Sequence, residues 1–417
     1  MSAEEIIVKN LPIDIEEGAV YSIAQSNPNS YTHCFFKYPC KFIPEIPRWA
    51  ISKYIYREGC HIYDPFSGSG TTLVEAALMG HFSYGSEIDA TAKLITRAKT
   101  TKMSPEQLDL LQTTKENIIA YANNPESKKI VVNINNIEHW FPANNIDELG
   151  KIRQYIETIQ DSTIKDFCLV CFASIIKKVS FCDDVSPKPY VSSKVIKTPE
   201  SAITAFSGVF DRYSTLIREY SKFNTHIPAI LPGGALGLKE QNKFDLAITS
   251  PPYINAFDYA RSMRLENLWL GFESEDSIRS GKGAYVGTEK VSGTSQFGKE
   301  EYLADSQLLH TYLDQIIILD KKRAAVTNKF FVDMKTNMEQ VHTALKSGGK
   351  YVIVIGNSSI RKVEVESWKV LAEIGEKIGF STELHFSYSI KNPYIRIPRE
   401  GQGGKINQDH VIVLTKI

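Results

Sequence analysis

The residues with the clearest chemical potential form a glycine-containing loop at positions 64–72, DPFSGSGTT. This loop joins a short predicted strand, CHIYD, to a predicted helix, TTLVEAALMG. Gly68 and Gly70 allow a tight turn and a close approach of backbone to ligand, and the amides at the start of the helix face the same site. The loop lacks the lysine of a P-loop, and Leu73 stands where a dinucleotide-binding loop needs glycine. The pattern therefore favours a cofactor that contains a nucleoside.

An acidic residue at the end of the next predicted strand, FSYGSE, supports this interpretation. Glu87 follows Gly68 by 19 residues, close to the ~20 at which an acidic side chain accepts hydrogen bonds from both ribose hydroxyls. Asp89 is the competing acid. Its position at the start of the next helix favours a role as an N-terminal acid stabilised by the helix dipole.

A second chemical pattern, Thr249-Ser250-Pro251-Pro252-Tyr253, directly follows the predicted strand FDLAI. Two prolines fix the backbone and remove two amide donors, so the turn presents carbonyl oxygens without competing N–H groups. A hydroxyl, a rigid carbonyl and an aromatic ring suit a planar heterocycle that carries an exocyclic amine. The alternative is a strand that ends in prolines and a surface tyrosine.

The elements that must position these residues alternate between strands and helices, which predicts an α/β fold with a parallel sheet and right-handed crossovers. We expect about seven strands with helices on both faces, of which the last two form an antiparallel pair. A mostly helical insertion interrupts the pattern. The predicted divisions are residues 1–100 with the glycine loop, 101–226 as the insertion, and 227–417 with the proline turn. Because ligands of such sheets bind at the carboxyl ends of the strands, loop and turn are expected to share one site.

Composition limits the remaining function classes. The 417 residues contain 48 Lys+Arg and 48 Asp+Glu, so the chain is not a general polycation, although a local basic face is compatible with this balance. No apolar run approaches the ~20 residues of a membrane helix and no signal pattern begins the chain, so we expect a cytoplasmic protein without membrane contact. Cys168 and Cys171 form a CxxC inside an apolar segment, which favours a buried helix over a zinc site. No metal is expected.

Together, DPFSGSGTT and TSPPY resemble the S-adenosylmethionine-dependent amino-methyltransferases of DNA, which methylate cytosine N4 or adenine N6. The upstream segment HCFFKYPCKFIPEIPRWAISKYI resembles the family's segment at the methionine end of the cofactor, and GSEID resembles its ribose-binding motif. The resemblance covers about residues 33–100 and 227–417. It implies a Rossmann-like methyltransferase sheet and S-adenosyl-L-methionine as cofactor. The implied cofactor-binding residues are Phe35, Lys41, Phe42, Asp64, Phe66, Ser67, Gly68, Gly70, Thr71, Thr72, Glu87, Ile88 and Thr249, and the implied catalytic residues are Ser250, Pro251, Pro252 and Tyr253.

The resemblance also implies a reaction and partners. Serine at the first turn position is most often associated with cytosine N4, which makes site-specific cytosine-N4 methylation of a flipped base in double-stranded DNA the favoured function. Adenine-N6 methylation, an RNA amino-methyltransferase and a non-catalytic nucleic-acid-binding relative stay as alternatives. A cognate restriction endonuclease is a further partner of such enzymes. The insertion is expected to take part in target recognition. The candidate phosphate contacts are Lys177, Lys178, Lys188, Lys194, Lys197, Arg396, Arg399 and Lys405, and a solvated surface charge is the alternative for each of them.

Overall fold

A mixed nine-stranded sheet forms the centre of the protein in the computed structural model, which describes residues 5–24, 30–39, 41–186, 188–194, 196–223, 225–254, 258–390 and 407–417. The strands are β1 Glu5–Val8, β2 Val20–Ile23, β3 His61–Asp64, β4 Phe82–Ser86, β5 Ala229–Leu231, β6 Phe244–Thr249, β7 Leu345–Gly356, β8 Ser358–Ile360, β9 Val363–Val365, β10 Phe380–Ser389 and β11 Gln408–Lys416. Their order in the large sheet is β1-β2-β10-β11-β7-β6-β3-β4-β5, and β8 pairs with β9 in a separate hairpin.

The strand order reverses at β3, which has β4 on one side and β6 on the other. Five adjacent strands of the sheet, β5, β4, β3, β6 and β7, run parallel to one another. β11 is antiparallel to both β7 and β10. In such sheets a crevice opens at the carboxyl ends of the strands that flank the reversal. The glycine loop follows β3 and the proline turn follows β6, so both motifs start at this crevice.

The predicted count of about seven strands is wrong, because two N-terminal strands extend the sheet to nine. β2 pairs with β10, far along the chain, and β1 pairs with β2. Each has only four residues, which is too short for an alternation of apolar and polar residues to be recognised in a sequence, and β1 is also largely exposed. The predicted antiparallel pairing of β10 with β11 is confirmed.

Helices cover both faces of the sheet, as predicted. Along β7, Val352 and Val354 pack with the helix Glu45–Tyr54 on one face, whereas Ile353 and Ile355 pack with the helices Lys321–Ala344 and Ser367–Ile378 on the other. The helices are α1 Glu45–Tyr54, α2 Thr71–Leu78, α3 Ala90–Thr100, α4 Pro105–Asn123, α5 Ile137–Trp140, α6 Ala143–Glu157, α7 Ser162–Ile176, α8 Ala202–Tyr220, α9 Tyr259–Ser262, α10 Arg264–Trp269, α11 Glu275–Gly281, α12 Gln307–Leu319, α13 Lys321–Ala344 and α14 Ser367–Ile378.

The predicted helical insertion corresponds to α4–α8, between α3 and β5. Cys168 and Cys171 are fully buried in α7, where burial raises the pKa of both thiols, as expected for a buried apolar helix. The insertion shares one continuous core with α3 and α10, through residues such as Leu94 and Leu268. It therefore packs beside the helix that follows the predicted ribose-binding strand. The division at residues 100 and 226 stays a prediction.

Candidate active site

The glycine loop has a backbone that only glycine adopts without strain. Gly68 and Gly70 have φ values of 50° and 82°, in the left-handed region, and Gly70 caps the N-terminus of α2. A Cβ atom at Gly70 would lie 2.9 Å from Cγ2 of Thr96. The Thr96 hydroxyl in turn donates a hydrogen bond of 3.0 Å to the carbonyl oxygen of Gly68. Helix α3 therefore supports the loop from behind and leaves its other side open.

A buried carboxylate, Asp64, joins the glycine loop to the proline turn. It accepts hydrogen bonds from the hydroxyl of Thr72 at 2.7 Å, from the hydroxyl of Thr249 at 2.6 Å and from the amide of Phe66 at 3.0 Å. Burial raises the pKa of Asp64 to about 6, although these donors favour the charged form. All three of these hydrogen bonds lie inside the protein. Asp64, Thr72 and Thr249 therefore hold the two motifs in position but do not line the cleft between them.

The two acidic residues after β4 have different roles. Glu87 accepts hydrogen bonds from the backbone amides of Gly68, Ile88 and Asp89 at 3.0, 2.7 and 2.8 Å. Burial, followed by the nearby charge of Asp89, raises the pKa of Glu87 to about 7. Asp89 caps α3 by accepting from the amide of Ala92 at 2.8 Å, which confirms its predicted role at the helix terminus. Only Glu87 is open to the cleft.

One cleft is lined by both motifs, and its empty volume is about 860 Å³ including the space open to solvent at its mouth. A volume of this order accommodates a cofactor of nucleoside size. Ten of the predicted site residues line it: Lys41, Phe42, Phe66, Ser67, Gly68, Thr71, Glu87, Ile88, Ser250 and Pro252. Lys41 donates a hydrogen bond of 2.7 Å to the carbonyl oxygen of His33, and burial lowers the pKa of its ammonium group.

The other predicted site residues do not line this cleft. Phe35 is fully buried in the core of the insertion and stacks on Tyr213 with ring centroids 4.2 Å apart, so the expected contact with a cofactor finds no support in its position. Gly70 and Pro251 contribute backbone conformation next to the cleft. Tyr253 extends away from it, and its hydroxyl donates a hydrogen bond of 2.5 Å to Asp409.

Several lining residues have no counterpart among the predictions. Gly233, Ala235 and Leu236 come from the segment after β5, where the Gly-Gly pair after a predicted strand could have indicated a further loop at the same sheet edge. Three tyrosines also contribute: Tyr38, Tyr259 and Tyr285. Tyr285 belongs to the segment before α12, and its hydroxyl donates to Asp89 at 3.4 Å. Nothing local in the sequence connects it with the glycine loop.

The expected phosphate contacts fall into three groups. Lys197 is engaged within the protein, where it donates to the carbonyl oxygens of Lys177 and Cys182 and pairs with Asp184 at 2.8 Å. Lys188 and Lys194 have no ion pair with any residue that the structure describes, and Lys194 is exposed. The neighbouring residue Asp184 accepts, through its carbonyl oxygen, a hydrogen bond from Lys37 at 3.3 Å, next to Tyr38 of the cleft. Arg396, Arg399 and Lys405 lie outside the described residues.

The described residues contain no group of three or more His, Cys, Asp or Glu side chains that could hold a metal ion. In the same part of the chain, no helix has the length and apolar character needed to cross a membrane.

The chain is similar in sequence to known amino-methyltransferases of DNA. The profile of the N6/N4 methyltransferase family, described as DNA methylase, matches residues 9–98. The type II methyltransferase M.MvaI from Kocuria varians is 23% identical over 420 residues, which cover 94% of this chain and 90% of the relative. M.BsoBI from Geobacillus stearothermophilus is 24% identical over 413 residues, covering 85% and 80%. A solved SAM-dependent methyltransferase from Methanosarcina mazei is 9% identical with a TM-score of 0.31, covering 88% of this chain and 97% of that one.

Proposed function

We propose that this protein is an S-adenosylmethionine-dependent DNA methyltransferase that transfers a methyl group to an exocyclic amine of a flipped base, with cytosine N4 as the favoured acceptor. The observation that carries the proposal is the shared cleft: Gly68 and Glu87 on the cofactor side and Ser250 and Pro252 on the turn side line the same space. Full-length similarity to type II methyltransferases supports DNA as the substrate.

The residues around the cleft fit S-adenosylmethionine. The Glu87 carboxylate is an acceptor for ribose hydroxyls, and Gly68 keeps open a space where a Cβ would lie 3.2 Å from the Tyr38 ring. Lys41 has further N–H donors beside its bond to His33, which suit the carboxylate of the methionine end. The first amides of α2 point to the same region. When bound, the cofactor supplies an electrophilic methyl group on a sulfonium centre.

The proline turn supplies acceptors for the amine. The lone pair of an exocyclic amine is delocalised into its ring, so the nitrogen becomes a better nucleophile when acceptors draw its N–H bonds out of the ring plane. The Ser250 hydroxyl and the Pro251 carbonyl are the proposed acceptors. The prolines hold them rigidly, so orientation contributes much of the rate enhancement.

The DNA substrate must present its base outside the helix, because a paired amine is inaccessible. Tyr253 is the proposed stacking partner of the flipped base. The insertion at residues 101–226 is the proposed target-recognition region, with Lys188 and Lys194 near the backbone phosphates. Ser250 at the first turn position favours cytosine N4 over adenine N6 by its resemblance to the cytosine-methylating members of the family.

The test is mass spectrometry of nucleosides from unmethylated genomic DNA after incubation with the protein and S-adenosylmethionine. The expected product is N4-methylcytosine, absent from a parallel reaction with Ser250→Ala and present with Ser381→Ala, a control serine on β10 at the opposite edge of the sheet. Detection of N6-methyladenine instead would mean that the same mechanism acts on adenine, the alternative base. The absence of any methylated nucleoside from the DNA would refute the proposal.

A further inference from the structure

A buried carboxylate, Asp409, links the proline turn to the last two strands of the sheet. Tyr253 Oη donates to Asp409 Oδ1 at 2.5 Å, and Tyr388 Oη donates to Asp409 Oδ2 at 2.9 Å. Asp409 and Tyr388 are only 7% and 3% exposed. Each carboxylate oxygen thus has a tyrosine hydroxyl as its partner, and hydrogen bonds to a charged acceptor are about twice as strong as neutral ones.

The position of Asp409 defines the direction in which Tyr253 extends. Asp409 pairs with Gly356 at the end of β7, and β7 separates β11 from β6, whose last residue is Thr249. Neighbouring strands lie about 4.8 Å apart. A hydrogen bond from Tyr253 to Asp409 therefore requires the tyrosine to cross the end of β7, on the side of Ser250 that is remote from Glu87.

We propose that Asp409 is a positioning residue for methyl transfer, which holds the Tyr253 ring at the place where the flipped base stacks. This inference rests on the proposed function. The ring of Tyr253 also packs against the core, but without the bond to Asp409 its hydroxyl end has more freedom to move. A ring that leaves the stacking position removes one wall of the base site. With the hydroxyl fixed, the ring is oriented before the base arrives, so less entropy is lost when the base binds.

The competing explanation is that the three side chains only stabilise the fold. The two explanations differ in what the hydroxyls of Tyr253 and Tyr388 do. Both bond to the same buried carboxylate, so a purely structural role predicts similar effects when either hydroxyl is removed. A positioning role predicts that only the bond to Tyr253 affects methyl transfer, because Tyr388 lies within β10 and has no proposed contact with the flipped base.

The test is a double-mutant cycle of Asp409→Asn with Tyr253→Phe, measured as single-turnover methyl transfer to DNA. Tyr253→Phe keeps the ring and removes the tether, and Asp409→Asn keeps the shape and removes the charge. Each should lower the transfer rate by roughly ten- to a hundredfold, the equivalent of one charged hydrogen bond, and the double variant should be no slower than the slower single variant. The dissociation constant for S-adenosylmethionine should stay within twofold of the wild type.

Tyr388→Phe is the matched control, and it should lower the melting temperature while keeping most of the transfer rate. Additive rate losses in the cycle, or a Tyr388→Phe rate as low as that of Asp409→Asn, would overturn the inference and leave the proposed function intact. If the wild-type protein transfers no methyl group in the same assay, the proposed function fails, and this inference fails with it.

Discussion

The hydroxyl of Thr249 donates a hydrogen bond of 2.6 Å to Oδ1 of Asp64, which ties the end of β6 to the end of β3. The second oxygen of the same carboxylate accepts from Thr72 in the first turn of α2 at 2.7 Å. Asp64 is fully buried. One carboxylate therefore sets the distance between the glycine loop and Ser250, although it does not face the cleft itself.

Replacing Thr249 with valine should loosen this connection. The change removes one of the two hydrogen bonds to Oδ1 of a buried carboxylate and leaves the amide of Phe66 as the remaining donor to that oxygen. We expect this to cost about 1–3 kcal/mol of unfolding free energy. We also expect a loss of transfer on the order of tenfold, because Ser250 is the next residue. Thr327→Val is the control: this threonine is equally buried and its hydroxyl donates to a helix carbonyl in α13. Equal transfer rates in the two variants would contradict the role given to Asp64.

Substitutions at the two glycines that flank α2 distinguish the effect of backbone strain from that of steric crowding. Gly70 and Gly80 have φ values of 82° and 77°, but a Cβ at Gly70 would crowd Thr96 whereas a Cβ at Gly80 would meet no atom within 4 Å. Gly80→Ala should lose about 1 kcal/mol of stability from strain alone. Gly70→Ala should lose about 1–3 kcal/mol more and weaken S-adenosylmethionine binding. Calorimetry and thermal unfolding of both variants test this expectation, and unchanged cofactor affinity in Gly70→Ala would place the cofactor elsewhere.

We expect cofactor binding to depend on pH through the pKa of Glu87. Burial raises this pKa to about 7, so the carboxyl is mostly protonated below that pH. The ionised form is the stronger acceptor for the ribose hydroxyls that we propose it binds. Affinity for S-adenosylmethionine should therefore increase, by up to about tenfold per pH unit, as the pH rises towards 7, and then level off. Isothermal titration calorimetry between pH 5.5 and 8.5 measures this profile.

Glu87→Gln is the control for the pH profile, because its amide does not titrate in this range. The variant should bind the cofactor more weakly at pH 8 and show a flat profile. A wild-type affinity that does not change with pH, or a profile that survives in the variant, would exclude Glu87 as the ribose-binding acid.

Lys194 offers a test of the DNA-binding surface. It is exposed, and it has no ion pair among the described residues. Lys194→Ala should weaken DNA binding and reduce the slope of log Kd against log salt concentration by about 1, as expected for one lost phosphate contact. Lys377→Ala, an exposed lysine in the last turn of α14, should leave the slope unchanged. The same slope in both variants would remove the loop around Lys194 from the DNA interface.

The parts of the site that follow from the sequence are those in which a few consecutive residues determine the geometry. Gly68 and Gly70 are required by the backbone of one loop, and Ser250 and Pro252 follow a single strand. Their approach to one another is predictable because parallel strands bring their carboxyl ends to one edge. The role of Asp89 as the N-terminal cap of α3 is likewise a local property.

The parts that do not follow from the sequence depend on contacts between distant segments. Tyr285 reaches the cleft from a segment almost 200 residues after Asp89, as their separation of 196 residues shows. Phe35 is a candidate cofactor residue through the resemblance of its segment, and nothing in that segment shows that its ring packs in the apolar core of the insertion. The two N-terminal strands exist because β10 offers an edge on which β2 pairs, which no residue within β2 reveals.

The most direct test of the central claim separates cofactor binding from methyl transfer in one variant, Ser250→Ala. Ser250 lines the shared cleft on the turn side, opposite Glu87. We predict that the variant binds S-adenosylmethionine within twofold of the wild-type affinity, while single-turnover transfer to DNA falls on the order of a hundredfold or more. Transfer at the wild-type rate in this variant would contradict the assignment of the proline turn as the site where the amine is methylated.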